Sequence, residues 1–385
     1  MPKRVYFVAN TSIGVPGNIG FRIQKICDQL EVNPNFEFEI FARYSKTHKN
    51  NNTNLYVIFS RFLNLVRIRL FTKLNSRKID DWVFEKLEGL ISGLRSRRIK
   101  RRPPEVVHFF GMHLDLMKKY RALGSQVVLD IPILPNFCVD EISKSSKGAY
   151  EYIPDVKYEA MERACCSSAD KIVVPSEFVR SLMLLKMPEL ATKIVTVPFG
   201  VEASPDAQPK PKGEFESAPL GVLFAGNVSP RKGIEVLQAV SQSVSSDQFN
   251  FDICGRIYAQ RYTWQKEGTV FHGFTSVDRF MEKNQFFIHP TYMEGSAKAV
   301  YEAMSKGMVV LTTPNAGSVI TNCFDGIVLE KNDPDQFVSI MSELVNDPER
   351  CEQLSRNAVS TAQKYSWERY GASLCDQYAS VQNTS

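Results

Sequence analysis

The chain reads as an α/β protein built from two doubly wound, Rossmann-like domains that face each other across a cleft. Three observations predict this. Short apolar runs alternate with segments of helical period along most of the 385 residues, the pattern of parallel sheets covered by helices on both faces. The length exceeds that of a usual single domain and lets each of two bury a core. Glu202–Pro219, rich in proline, lysine and acids and poor in large apolar residues, separates two such alternating runs. The expected organisation is an N-terminal domain over 1–201, a linker over 202–219, a C-terminal domain over 220–365, and a terminal helix over 366–385 packing back on the N-terminal domain.

In order, Arg4–Ala9 has the composition of a short buried strand, and Asn10–Gly20 is a loop carrying Gly14, Gly17 and Gly20. Phe21–Leu30 places Ile23, Ile26, Cys27 and Leu30 at helical spacing. Glu37–Ala42 reads as a strand, Lys46–Asn54 with its asparagine run as a loop, and residues 55–102 as a basic helical insertion. Glu105–Phe110, Gln126–Ile131 and Lys171–Pro175 are strands, with helices at Tyr152–Ser167 and Glu177–Leu185. In the second run, strands are expected at Gly221–Ala225, Asn250–Cys254, Thr269–Phe271, Phe286–His289 and Val309–Thr312. Ligands of such sheets bind beyond the carboxyl ends of the strands.

A net charge of +5 is mild for this length and does not argue for nucleic acid. None of the eight cysteines forms a C-x-x-C pair, so buried thiols are expected rather than zinc or disulfides. The opening MPKRVYFVAN runs straight into a strand pattern, which predicts no signal peptide. No apolar run is long enough to span a bilayer, and a cytoplasmic protein is expected.

The most informative stretch is Glu294–Glu302, EGSAKAVYE, followed by AMSKGMVVLTT. It orders a loop acid, a helix start, a second acid, a glycine stop and a buried strand. A helix N-terminus offers unpaired N–H groups and a positive dipole end to a phosphate or a hydroxyl. Carboxylates accept hydrogen bonds only and so suit vicinal hydroxyls. Ser296 is the expected N-cap, with the amides of Ser296, Ala297 and Lys298, next to Gly295, directed at the oxygens of such a ligand. Lys232 follows a strand and tight turn and opens a helix with Gly233; beside Arg231 it suits a diphosphate leaving group.

Glu294–Glu302 resembles the E-x7-E signature of retaining GT-B glycosyltransferases, especially the family-four group (glycosyl transferases group 1). Phe224–Gly233 resembles that family's strand–glycine–loop–Lys-Gly phosphate segment, and Ala169–Val179 its ADxIIxxSxxxx strand and turn. Val197–Glu202 resembles its IPNGVD hinge, and Ser366–Arg369 the opening of its last helix. The resemblance implies the GT-B architecture. It implies that Glu294 contacts the donor sugar, that Glu302 holds the nucleotide ribose, and that Gly226 and Lys232 hold phosphate. The segment Phe271–Phe274 passes beside the nucleotide base in the family, which brings in Phe274; the glycine loop around Gly17 resembles the acceptor-side loop, and a plain flexible turn is an equal reading.

Two positions depart from the pattern. Asn227 stands where the family usually has an arginine, with Arg231 or Arg256 available to substitute. The family's histidine after the strand Gln126–Ile131 is absent, leaving Asp130 or His113 as possible acceptor-side residues. No D-x-D candidate or metal cluster is visible, so a metal-free site is expected, without a cofactor and with the nucleotide-diphosphate sugar as donor substrate.

Arg61–Arg102, preceded by Phe59, holds thirteen Lys/Arg against four Asp/Glu, net +9, interleaved with Phe62, Leu63, Leu65, Val66, Ile68, Leu70, Phe71 and Trp82. An interfacial segment on an anionic membrane and a solvated basic face of a helix pair both fit this pattern; no nucleic-acid fold is present. The function expected is retaining, metal-independent, hexosyl-type transfer from a nucleotide sugar to a hydroxyl of a glycan or lipid-linked acceptor. A sugar-nucleotide epimerase or hydrolase of the same fold, and a non-catalytic scaffold, are the alternatives.

Overall fold

The computed structural model describes residues 2–13, 19–45, 54–57, 83–84, 86–87, 103–145, 155–257 and 259–380. Gly17 and nearly all of the basic segment 61–102 lie outside them.

Two parallel sheets form the frame. The N-terminal sheet comprises β1 (Lys3–Ile13), β2 (Phe36–Ser45), β3 (Asn54–Val57), β4 (Val106–Phe109), β5 (Gln126–Asp130), β6 (Lys171–Val174) and β7 (Ile194–Thr196), in the order β3-β2-β1-β4-β5-β6-β7. The C-terminal sheet comprises β8 (Leu220–Ala225), β9 (Phe249–Cys254), β10 (Thr269–Gly273), β11 (Phe286–His289), β12 (Val309–Thr312) and β13 (Ile327–Val328), in the order β10-β9-β8-β11-β12-β13. Each order reverses direction once, between β1 and β4 and between β8 and β11, and those switch points are where crevices open beyond the strand ends.

The helices that position the site are α1 (Ile19–Leu30), α2 (Asn136–Ser145), α3 (Val156–Ser168), α4 (Glu177–Lys186), α5 (Ile234–Ser243), α6 (Lys298–Ser305) and α7 (Trp367–Ala379). Buried strand residues such as Val107, Leu129 and Ile172 fill one N-terminal layer. The other layer joins Val5, Phe7, Ile23 and Ile26 to Trp367, Leu374 and Tyr378, so the last helix closes the core of the first domain. Phe21 meets the Trp367 ring edge-on at 5.5 Å, and the Tyr378 hydroxyl is 2.7 Å from His108 Nδ1.

Three expectations need correction. Residues 54–57, read as the loop end and helix start, form an edge strand paired with β2 through Ile40↔Leu55. The Leu-Tyr-Val run has the aromatic and β-branched character a pleated edge accepts. The second half of Glu202–Pro219 is not a free linker: Lys212–Phe215 is helical and Phe215 is buried. The Lys210 amide there donates to Ser355 Oγ at 2.8 Å, anchoring the segment on the C-terminal domain. The strands β7 and β13 went unread, since three and two residues are too short to show a period. Among the described residues no helix is long and apolar enough to cross a membrane, and of the eight free cysteines only Cys323 is exposed.

Candidate active site

The C-terminal site is built at the switch point of the second sheet. β8 ends at Ala225 and leads through Gly226 and Asn227 to a single turn, Pro230–Lys232, before α5. Gly233 joins the two with φ +70, where a Cβ would collide with the Pro290 carbonyl, so only glycine lets the chain turn here. β11 lies beside β8, and its own loop is tied to the same turn. The Arg231 carbonyl accepts from the Tyr292 amide and the Thr291 hydroxyl, each at 3.0 Å.

This stitching brings three charges together. Glu294 Oε1 pairs with Lys232 Nζ and, at 3.1 Å, with Arg231 Nη1, which also donates to the Met293 carbonyl at 2.7 Å. Burial pushes the Glu294 carboxyl up, but Lys232 and Arg231 outweigh it and hold the group below the usual range. Burial also lowers the Lys232 ammonium, against the pull of Glu294. Beneath them His289, stacked between Phe224 and Phe287, is kept neutral by burial with a pKa of about 3.

The Glu294–Glu302 segment adopts the expected order with a different cap. α6 begins at Lys298 with Ala297 as N-cap; the Ser296 hydroxyl instead meets the Tyr301 hydroxyl at 2.9 Å inside the core. The Ala297 amide is committed to the Ala316 carbonyl at 2.9 Å and is not available to a donor. Gly295 sits where the domains touch: a Cβ there would run into Pro132 and Ile133 of the N-terminal domain. Glu302 lies at the helix surface in an i,i+4 pair with Lys298 at 2.5 Å. Asn227 is exposed, and the Arg256 guanidinium lies 5.8 Å over the ring of Phe274, which is 83 % exposed just beyond β10.

The N-terminal domain contributes a cavity of about 500 Å³ at its own switch point, lined from the ends of β1, β4 and β5 and from α2 and α3. His113 and Asp130 both line it, as does Met293, the neighbour of Glu294. His113 is buried and stacks on Phe84 at 5.2 Å. Asp130 receives Arg22 of α1 at 2.5 Å; burial pushes its carboxyl up against the pull of that guanidinium. Glu162 of α3, which no motif in the sequence singles out, also lines the cavity. It accepts from Asn136 Nδ2 at 2.7 Å, and burial raises its pKa to about 7.

Residues 207–361 match the family model described as glycosyl transferases group 1. An uncharacterized glycosyltransferase of Methanocaldococcus jannaschii is 27% identical over 38% of this chain and 44% of its own length. A lipopolysaccharide 1,2-N-acetylglucosaminetransferase of Salmonella typhimurium is 26% identical over 55% of this chain and 62% of its own. The chain therefore spans less than two thirds of the length of both. Over whole chains, sucrose-phosphate synthase of Thermosynechococcus elongatus superposes with a TM-score of 0.68 at 14% identity, covering 98% of each chain. Anabaena HepE, solved with UDP and glucose, superposes with a TM-score of 0.65 at 12% identity, covering 98% of this chain and all of its own. The fold is thus GT-B. The glycosyl transferases group 1 match lies wholly in the C-terminal half, over the domain that carries Lys232 and Glu294.

Proposed function

We propose that the protein transfers a hexosyl group from a nucleotide-diphosphate sugar to a hydroxyl of a glycan or lipid-linked acceptor, with retention of configuration and without a metal ion. The observation that carries this is the Arg231–Lys232–Glu294 cluster at the carboxyl ends of β8 and β11, beside the start of α6. Two cations suit the charge that grows on a departing diphosphate, and a buried carboxylate beside them suits the sugar hydroxyls. A diphosphate drawn to Lys232 competes with Glu294 for the ammonium, so donor binding frees the carboxylate for the sugar. The acceptor hydroxyl then attacks from the face that the nucleotide leaves, and the leaving phosphate takes its proton. Names of relatives that act on lipopolysaccharide support a glycan or lipid-linked acceptor.

The test incubates the protein with a panel of nucleotide sugars, with and without glycoside acceptors, and follows nucleotide-diphosphate release and the anomeric configuration of the product by NMR. Release that requires acceptor, with retained configuration and insensitivity to EDTA, supports the proposal. Release without acceptor points to hydrolysis, and strict metal dependence overturns the metal-free part. Peripheral binding to anionic membrane through 61–102, on the inner face, belongs to the same proposal. It predicts salt-weakened co-sedimentation with anionic vesicles but not neutral ones.

A further inference from the structure

His289 ends β11 with its imidazole wholly enclosed, at 0 % exposure. The ring stacks on two phenylalanines, Phe287 with centroids 5.8 Å apart and Phe224 at 6.2 Å. Neither ring nitrogen has a hydrogen-bond partner among the described residues. A buried imidazole without partners costs stability that an apolar side chain of similar size would not. The backbone at this point is held in place. The His289 carbonyl accepts from the Thr312 hydroxyl and the Thr291 amide, each at 2.9 Å, and the Thr291 hydroxyl donates to the Arg231 carbonyl. The charged side chains that act on the ring are Lys232, Glu294 and Arg231. Gly226 shows how near Lys232 lies: a Cβ there would stand 3.7 Å from both the Phe224 ring and Lys232 Cε, so the lysine stem passes the ring on which His289 stacks.

Lys232 and Arg231 both meet Glu294 through Oε1. A diphosphate that draws Lys232 away strips the closest cation from a buried carboxylate, and an uncompensated buried charge is costly. A neutral imidazole offers one N–H donor and one acceptor nitrogen. Burial keeps this ring neutral. It can therefore give the carboxylate a hydrogen bond without adding a further cation that would hold Glu294 away from the sugar.

Resting on the glycosyltransferase reading, we propose that His289 is the partner Glu294 takes when the donor diphosphate draws Lys232 away, its ring N–H donating to the carboxylate and keeping it aimed at the sugar. His289 is then a positioning residue. It acts on the donor sugar through Glu294 and touches neither substrate.

The experiment reads the ring directly. Nitrogen–proton NMR spectra of the full chain, labelled at the histidine ring nitrogens, report the hydrogen bonding of His289, whose signals are assigned by their loss in His289→Leu. Saturating UDP, GDP or ADP, whichever binds, is expected to move the ring N–H signal to the range of a hydrogen-bonded donor, and Glu294→Ala should abolish that shift while the nucleotide still binds. Calorimetry then compares each diphosphate with UDP-glucose, GDP-mannose or ADP-glucose. His289→Leu should melt no lower than wild type, since it removes two unpaired buried nitrogens, and should bind the diphosphate as wild type does. Its affinity for the sugar nucleotide relative to the diphosphate should fall by about tenfold, the scale of one lost hydrogen bond to a charged group. His289→Gln keeps an N–H donor and should recover most of that loss. A ring signal that does not respond to a nucleotide the protein binds, a ring N–H already bonded before nucleotide is added, or a leucine variant that keeps the wild-type ratio overturns the proposal. Failure of wild type to bind any of these nucleotides overturns the glycosyltransferase reading and the proposal with it.

Discussion

The Ser176 hydroxyl donates a 2.6 Å hydrogen bond to the carbonyl of Gly295, joining the first turn of α4 in one domain to the residue after Glu294 in the other. The same oxygen accepts from the Val179 amide at 3.3 Å and so caps α4. Gly317 packs against both ends of this contact, since a Cβ there would meet Ser176 Oγ and the Gly295 carbonyl. One buried hydroxyl thus terminates a helix and sets how closely the domains meet at the candidate site. Ser176→Ala leaves the Gly295 carbonyl without this donor and α4 without its cap. Stability should fall by about 1–3 kcal/mol, read as a lower melting temperature, while Ser176→Thr should recover much of the loss. A melting temperature unmoved by the alanine change would show that the contact contributes nothing to domain docking.

Lys232 is expected to act on the transition state more than on the ground state, because negative charge grows on the leaving diphosphate during reaction. Lys232→Ala should therefore lower kcat by about a hundredfold or more, the scale of losing one oriented donor to developing charge. Donor Kd should rise by a smaller factor, since Glu294 becomes freer to contact the sugar once its closest cation is gone. Steady-state kinetics alongside calorimetric donor titration separate the two. A variant with full turnover would remove the phosphate role.

That cluster was readable from the residues because each part sits in an unbroken local pattern: strand, glycine, turn and Lys-Gly for Lys232, and loop acid, helix and buried strand for Glu294. What local pattern cannot show is contact between segments. Ser296 is a good N-cap by type, yet the chain places its hydroxyl on Tyr301 and starts the helix one residue later. Gly295 looks like a ligand-facing glycine, but its missing Cβ makes room for Pro132 across the cleft. Glu162 sits in a helix without a motif, and only the packing of α3 against α2 gives it Asn136 as a partner and the cavity as a neighbour. Parallel sheets covered by helices followed from alternation, but their strand order did not, and β3, β7 and β13 fell where short strands carry too little period.

Glu302 offers a test of the donor base end. In the structure its carboxylate is 2.5 Å from Lys298 Nζ on the same helix face. Such half-exposed pairs contribute at most about 0.5 kcal/mol to the helix, so Glu302→Ala should leave the melting temperature nearly unchanged. If the carboxylate instead accepts ribose hydroxyls, losing those charged hydrogen bonds weakens nucleotide binding by about tenfold or more. Calorimetry with nucleoside diphosphates against their 2′,3′-dideoxy counterparts decides it. Wild type should prefer the ribose form and the variant should not; equal loss for both would place Glu302 elsewhere than on the ribose.

Glu162 makes the sharpest statement about pH. Its pKa rises from the ordinary 4.5 to about 7, chiefly through burial. Between those values the folded protein keeps the proton while the unfolded chain releases it, so stability falls as the pH rises through that window and levels off above it. This is the opposite of Glu294, whose lowered carboxyl adds stability that is present above the ordinary value and lost only as the pH drops below it. A glutamine at 162 keeps the shape and the oxygen that Asn136 contacts but does not titrate. Glu162→Gln should therefore match wild type near about pH 5 and exceed it by on the order of 1–3 kcal/mol near about pH 8. Urea denaturation at the two values measures the difference directly. A variant equally stable relative to wild type at both would mean that Glu162 is ionised throughout and that its burial is offset by partners stronger than Asn136.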